Sequence, residues 1–274
     1  MRAIARLSVV PLLAAAMAAG AAYGADSEPR WEFGFGIGAL SIPAYRGSKE
    51  RNGYILPLPY GTYTGETLAV DREGIRGKLF RSERLRLELS IDAAPPATST
   101  SGARTGMPKL DPVVEAGASI KVRLGARADS GWSVNLPIRA AVATDLAHTH
   151  PLGWTFEPHL KYAGDAGGWE FDVAAGPTYA AEAYHDYYYQ VSPEFATAVR
   201  PAYDARGGYS GSRVTVSASK RFGRLWLGVF ARYDDLGRAV FRDSPLVETD
   251  HAFLAGGGVA WIFARSKETV PRDR

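Results

Sequence analysis

The side chains able to bind metals or move protons are few and scattered. The five histidines are His148, His150, His159, His185 and His251. None belongs to a His-Glu-x-x-His helix, where two imidazoles one turn apart would hold zinc beside a general base. His148 and His150 form an i, i+2 pair in an expected loop, and a solvated loop explains them more simply than a metal site does. Asp234 and Asp235 end a strand and precede a loop. Calcium could use them, but solvated turn carboxylates are the simpler expectation. Cysteine is absent, which removes thiol nucleophiles, disulfides, zinc ribbons and iron–sulfur sites together. There is no Gly-x-Ser-x-Gly elbow and no P-loop. Gly34, Gly36 and Gly38 recur with a period of two in an aromatic strand. That is not dinucleotide spacing, no helix follows, and a close strand approach or a smooth wall accounts for it. A barrel enzyme acting on lipid would need a Ser/His pair on an apolar row or rim, and no His stands in such a row. The expectation is therefore no catalytic residue, no metal, no cofactor and no enzyme.

The elements that would position any site come next. The 274 residues contain 30 Gly, 17 Pro, 6 Trp, 14 Tyr and 11 Phe, with 46% hydrophobic and 22% charged residues. The apolar share is too high for a disordered chain, and the Gly and Pro lack a collagen period. Arg2 and Arg6 precede an apolar stretch from Leu7 to Ala19, and Ala22-Tyr23-Gly24 offers small residues at a cleavage site. Residues 1–24 thus read as a secretory signal peptide; the other reading, a membrane anchor, suffers because the stretch falls short of the ~20 residues that span a bilayer. The 32 basic residues lose Arg2 and Arg6 on cleavage and then nearly balance the 29 acidic ones. Such a balance argues for no nucleic-acid partner.

Alternation dominates the remainder. Leu85, Leu87, Leu89 and Ile91 alternate with Arg84, Arg86, Glu88, Ser90 and Asp92. Trp31, Phe33, Phe35 and Ile37 alternate with Glu32 and glycines, and Trp169, Phe171 and Val173 with Glu170 and Asp172. Successive side chains of a strand point to opposite faces, so one face is apolar and the other ionic. The runs are long, nearer the ~9–11 residues of a tilted membrane strand than the ~5–6 of a globular one. Aromatics at their ends suit interfacial girdles. These features predict an all-β fold: a transmembrane antiparallel β-barrel of about 12 strands over residues 25–264, with lipid on the apolar face and a charged tail over 265–274. The expected strands are 31–41, 52–63, 66–71, 74–80, 84–92, 112–124, 131–146, 153–163, 168–181, 210–222, 224–235 and 250–264. Short connections then alternate with long ones, as barrels require. Prolines 57, 59, 137, 158 and 177 within these runs each remove a ladder donor.

The same parity places Arg84, Arg86, Glu88, Asp92, Glu115, Lys121, Arg123, Arg139, Glu157, Lys161, Glu170 and Asp172 on the inner face. The two signs are equal in number, which fits either a mutually neutralising network in a filled barrel or a water-filled channel. Residues 182–209 make a long aromatic loop containing Tyr187, Tyr188, Tyr189, Pro193, Tyr203 and Tyr209. Loops of this length are usually functional. Either it covers the mouth of the barrel or its tyrosines dock a partner. Ser192-Pro193-Glu194 predicts a short helix over 193–199, with Ser192 as N-cap.

Tyr187 to Glu194 resembles the Tyr-Tyr-x-Val-Thr/Ser-Pro-Glu signature of the MipA/OmpV outer-membrane proteins. Arg200 to Gly208, Trp226 to Leu236, Asp243-Ser244-Pro245-Leu246-Val247 and the Gly-rich strand Gly256 to Phe263 continue the likeness. Pro43 to Gly47 and Leu56 to Tyr60 also fit. The resemblance implies a cell-outer-membrane location and a scaffolding role in murein synthesis, bringing together a lytic transglycosylase and a bifunctional penicillin-binding protein. The alternative is a small porin-like diffusion channel. Strands of this kind usually end on an aromatic, and here Phe263 is followed by the charged tail.

Overall fold

A computed structural model describes residues 27–65, 68–71, 74–77, 80–81, 85–97, 102–124 and 131–271. The expected signal peptide, residues 1–24, lies outside them. In chain order the strands are β1 (Ser27–Pro29), β2 (Trp31–Pro43), β3 (Arg51–Thr64), β4 (Leu68–Asp71), β5 (Gly74–Gly77), β6 (Phe80–Arg81), β7 (Leu85–Ala94) and β8 (Val113–Arg123). They continue as β9 (Gly131–Thr144), β10 (Thr149–Phe156), β11 (His159–Ala166), β12 (Trp169–Ala180), β13 (Gly208–Phe222), β14 (Leu225–Asp235), β15 (His251–Arg265) and β16 (Thr269–Pro271). One α-helix, α1 (Glu182–Tyr189), lies between β12 and β13. Every strand from β2 to β15 belongs to one antiparallel sheet, ordered β5-β4-β3-β2-β15-β14-β13-β12-β10-β9-β8-β7-β6, with β11 between β12 and β9. The sheet curls until β5 comes to lie beside β7, from the other end of the order.

Its polarity is inverted relative to a soluble sandwich. On β2, Phe33, Phe35 and Ile37 are more than half exposed, whereas Glu32, which precedes them on the opposite face, is 3% exposed. Leu89 and Ile91, Val114 and Ile120, Trp132 and Ile138 are exposed, while Arg86, Glu115 and Arg139 are buried. Ionic groups taken from water while aliphatic groups face outward make sense only if the outer surroundings are apolar. Near the end that carries β1 and β16, Trp132 packs on Tyr162 (5.1 Å between centroids) and Tyr162 on Phe171 (6.1 Å), crossing from β9 through β11 to β12. This is an interfacial aromatic belt built across strands.

The structure departs from the expected strands at their prolines. The strand expected over 153–163 is broken into β10 and β11, both paired with the same neighbours, β9 and β12. The break falls at Glu157-Pro158, directly opposite Pro137, so two residues without donors share one irregularity. The segment is also crowded, since a Cβ on Gly176 would lie 2.0 Å from the Pro158 carbonyl oxygen. Pro57 and Pro59 lie in β3, which meets β4 only at Tyr63 and Thr64, so much of that edge needs no donor. Of the strands expected over 66–71 and 74–80, the described residues show β4, β5 and the start of β6, and 66–67, 72–73 and 78–79 lie outside the described residues. β15 runs on to Arg265, and β16 returns to pair with β1, where Arg30 bridges Glu268 at 3.0 Å.

The glycine row has a steric cause. A Cβ on Gly34 would sit 2.6 Å from the Trp261 carbonyl oxygen, and one on Gly36 would sit 1.8 Å from that of Val259. Gly36→Val should therefore force β2 away from β15 and lower stability by about 1–3 kcal/mol. The reading is the urea midpoint for unfolding from micelles; an unchanged midpoint would show that the strands absorb the side chain.

Candidate functional site

The inward side chains of β7 to β14 form a continuous ionic ladder. Glu115 and Arg139, from the neighbouring strands β8 and β9, approach to 3.3 Å. Arg139 reaches Glu157 at 3.3 Å, and Glu157 sits at the β10–β11 break, where the interrupted backbone brings its carboxylate into the lumen. Glu157 also meets Arg213 of β13 at 2.7 Å, and the Arg213 Nε donates to Asp234 of β14 at 2.7 Å. Signs alternate along the whole path, and neutral hydroxyls complete it. The Thr155 hydroxyl donates to Glu115 Oε2 at 2.6 Å, the Tyr184 hydroxyl to Glu115 Oε1 at 3.0 Å, and Arg139 Nε to Ser90 Oγ at 2.8 Å. Nearer β1 and β16 a second set pairs Lys161 with Asp172 at 2.8 Å, and Glu32 with Arg221, which also donates to the Tyr60 hydroxyl.

At the opposite end the long connections fold onto one another. Tyr45, Leu110, Tyr189, Val191, Leu236, Phe241 and Leu246 form a buried apolar cluster. The Tyr189 and Phe241 rings stack with centroids 3.7 Å apart. Hydrogen bonds tie the backbone of each connection to another: Tyr45 donates to the Leu246 carbonyl at 2.7 Å, Tyr189 to that of Arg46 at 3.0 Å, Ser244 to that of Tyr189 at 2.7 Å, and Arg104 to that of Tyr188 at 2.8 Å. Arg200 donates to the carbonyls of Phe195, Ala103 and Thr105. Burial pushes the Tyr189 phenol above its ordinary range. His185 is fully buried within this cluster, and desolvation lowers its imidazole to about 4. Arg46 joins the cluster to the ladder below, donating to the Ser210 carbonyl at 2.7 Å and approaching Asp234 at 3.5 Å.

The helix lies elsewhere than expected. Residues 193–195 make only a single 3₁₀ turn, and Ser192 makes no capping hydrogen bond. The helix is α1, because His185 and Tyr189, one turn apart, both bury against Phe241. Of the loop residues named from sequence, Tyr189 is buried, Tyr187, Tyr188, Tyr203 and Tyr209 are half-buried, and Pro193 is exposed. Of the candidate lumen charges, the structure brings together Glu115, Arg139 and Glu157, and separately Lys161 and Asp172. Arg86 is buried, and Glu88, Arg123 and Glu170 are half-buried on the same face; Arg84 lies outside the described residues. Arg213 obeys the same alternation, inward between Ser212 and the outward Val214, and parity could have found it. Asp234, expected to be a solvated turn carboxylate, is 2% exposed and paired. Among the described residues no His, Cys, Asp or Glu cluster could hold a metal ion.

A curled antiparallel sheet with an apolar exterior, an aromatic belt and an ionic lumen defines an outer-membrane β-barrel protein. The profile described as MltA-interacting protein MipA matches residues 35–263, and the chain belongs to that family. A search of curated proteins finds no match. Among solved structures, the outer-membrane OmpT of Vibrio cholerae is 9% identical, with TM-score 0.29, over 88% of this chain and 99% of that one. The Ralstonia pickettii toluene transporter TbuX is 8% identical, with TM-score 0.25, over 90% and 72% of the two chains. The CymD monoaromatic hydrocarbon channel is 9% identical, with TM-score 0.25, over 87% and 68%.

Proposed function

We propose that this protein is a non-enzymatic scaffold of the outer membrane, holding a lytic transglycosylase and, with it, a bifunctional penicillin-binding protein beside the murein. The family's description supports the first partner; the second rests on the sequence resemblance alone. The observation that favours a scaffold over a diffusion channel is the ladder from Glu115 to Asp234, whose side chains bond one another instead of lining open water. The loop cluster above it, held by Tyr45, Tyr189 and Arg200, acts as a plug at the outer mouth. If residues 1–24 are a cleaved signal peptide, the end with β1 and β16 faces the periplasm. The β1–β16 pair and the short turns then present the docking surface, where murein enzymes reside.

Two measurements test this. Crosslinking in intact envelopes followed by purification should recover a lytic transglycosylase and a penicillin-binding protein; recovering neither, under conditions that capture a known envelope scaffold, would reject the reading. In planar bilayers the purified protein should give no discrete conductance steps. Regular steps under ordinary salt would instead establish the channel.

A further inference from the structure

We propose that the lumen binds a single-chain monocarboxylate, a fatty-acid anion of medium length, with its alkyl chain along an apolar strip of the inner wall and its head group at Arg232. This site stands whether the barrel is a scaffold or a channel. The strip lies where β14, β15, β2 and β3 adjoin. The Tyr60 hydroxyl accepts from Arg221 beside Glu32, which fixes the even positions of β3 as inward, and the buried Asp234 does the same for β14. The inward positions are then Leu56 and Leu58 on β3, and Trp226 and Phe230 on β14. Glycines of β15 between them let the large side chains lie flat. A Cβ on Gly256 would stand 2.7 Å from the Phe230 ring, and one on Gly258 would stand 2.8 Å from Leu58 Cδ2. Beside them, a Cβ on Gly38 would meet nothing nearer than 3.5 Å. Leu56 is 50% exposed and Phe230 36%, although both face the lumen. Apolar side chains that face inward and stay uncovered are surface for a hydrocarbon chain.

Arg232 stands at the outer end of this strip. It follows Phe230 on the inward face of β14 and lies in register with Leu254 of β15. Its Nε is buried with no hydrogen-bond partner. Among the described residues its guanidinium makes no hydrogen bond and no ion pair; Asp92, Asp234 and Glu157 act on it from longer range, and the like charge of Arg213 acts more strongly than any one of them. A guanidinium withdrawn from water with its donors unused is costly, and a carboxylate is the acceptor whose two oxygens match its planar fork.

Charge and length narrow the ligand. In this part of the lumen four carboxylates, Asp92, Glu115, Glu157 and Asp234, already balance Arg46, Arg139, Arg213 and Arg232. A head group with two negative charges, such as a phosphate, would meet Asp92 and Asp234 unfavourably, whereas a carboxylate brings one charge to the one guanidinium without a partner. An ammonium head would be repelled by Arg213 and Arg232 together. From Arg232 to Trp226 the strand advances about 20 Å, at ~3.3 Å per residue, which accommodates an extended alkyl chain of medium length.

The test is calorimetric titration of the full-length barrel in detergent micelles with sodium octanoate, against octan-1-ol and octylammonium chloride, each corrected for partition into empty micelles. Saturable one-to-one binding of octanoate is expected, about tenfold or more tighter than either of the others. Arg232→Met should weaken octanoate by about tenfold and leave octan-1-ol unchanged, whereas Leu56→Asn should weaken both. Heat-modifiable migration is the check that each variant is folded. Absence of saturable octanoate binding to the native protein overturns the proposal without reference to any variant. Equal binding of octan-1-ol or octylammonium overturns the assigned charge. Unchanged octanoate affinity in folded Arg232→Met overturns the assigned head-group residue, and unchanged affinity in folded Leu56→Asn overturns the assigned strip.

Discussion

Arg213→Met should cost about 3–5 kcal/mol of stability, the largest loss expected from any single change in the lumen. Arg213 is the only described group that touches both Glu157 and Asp234. Methionine matches much of its volume but supplies no donor. Asp234 would keep only the longer contact to Arg46, and Glu157 only the contact to Arg139. Each carboxylate would remain desolvated while losing its shortest partner, and such an uncompensated charge is what makes breaking a buried pair expensive. Two comparisons isolate this cause. Arg232 lies on the same face of β14, but its buried Nε has no hydrogen-bond partner, so Arg232→Met should be near neutral or stabilising. Removing the acids as well, in Arg213→Met with Glu157→Gln and Asp234→Asn, should recover part of the loss, because a network replaced whole no longer leaves orphaned charge. Equilibrium urea unfolding into and out of lipid vesicles reads all three. Equal losses for Arg213→Met and Arg232→Met would show that packing, not pairing, sets the cost.

The ladder also marks the limit of what the sequence discloses. Strand alternation is local, so the inward placement of Arg86, Glu115 and Arg139 can be read from adjacent residues alone. Which inward charges meet is not local. Arg213 finds Glu157 because β12 lies between β11 and β13, and because Pro158 interrupts the strand at Glu157. The loop cluster was still less legible. Tyr45 bonds the Leu246 carbonyl across 201 positions, and nothing in either segment announces the other. The Ser192-Pro193-Glu194 signal misplaced the helix for a related reason. Capping signatures describe local preference, whereas α1 is held by the burial of His185 and Tyr189 against a distant phenylalanine, and packing routinely overrides propensity.

Acidification should loosen the loop cluster while leaving the barrel wall intact. His185 is fully buried, its ring packed edge-on against Phe241 at 4.8 Å. Its Nδ1 lies 2.5 Å from the Arg206 carbonyl and must donate to it, so the neutral ring offers Nε2 as acceptor to the Ser210 hydroxyl at 2.7 Å. Protonation would place a second N–H toward Ser210 and a positive charge near Arg46. Desolvation accordingly holds the folded imidazole near 4, against about 6.5 in an unfolded segment. Because the folded value is the lower one, the unfolded loop binds the proton first. The contribution is complete above about pH 6.5, declines by about 1.4 kcal/mol per unit as pH falls, and levels off below the folded value. The total is about 3 kcal/mol, enough to expose a peripheral cluster whose local stability is below that of the whole fold. Asp186, raised by burial and by nearby Glu182 and Asp204, has the opposite pH sense and would mask part of the decline near its lower end. His185→Gln separates the two, since an amide can donate to the Arg206 carbonyl and accept from Ser210 without titrating between pH 4 and pH 7. Hydrogen exchange of residues 182–209 should accelerate between pH 6.5 and 4 in the native protein, after correction for intrinsic rates, and not in the variant. Amides in β13 and β14 should stay protected in both. The same acceleration in His185→Gln would assign the switch to the carboxylates instead.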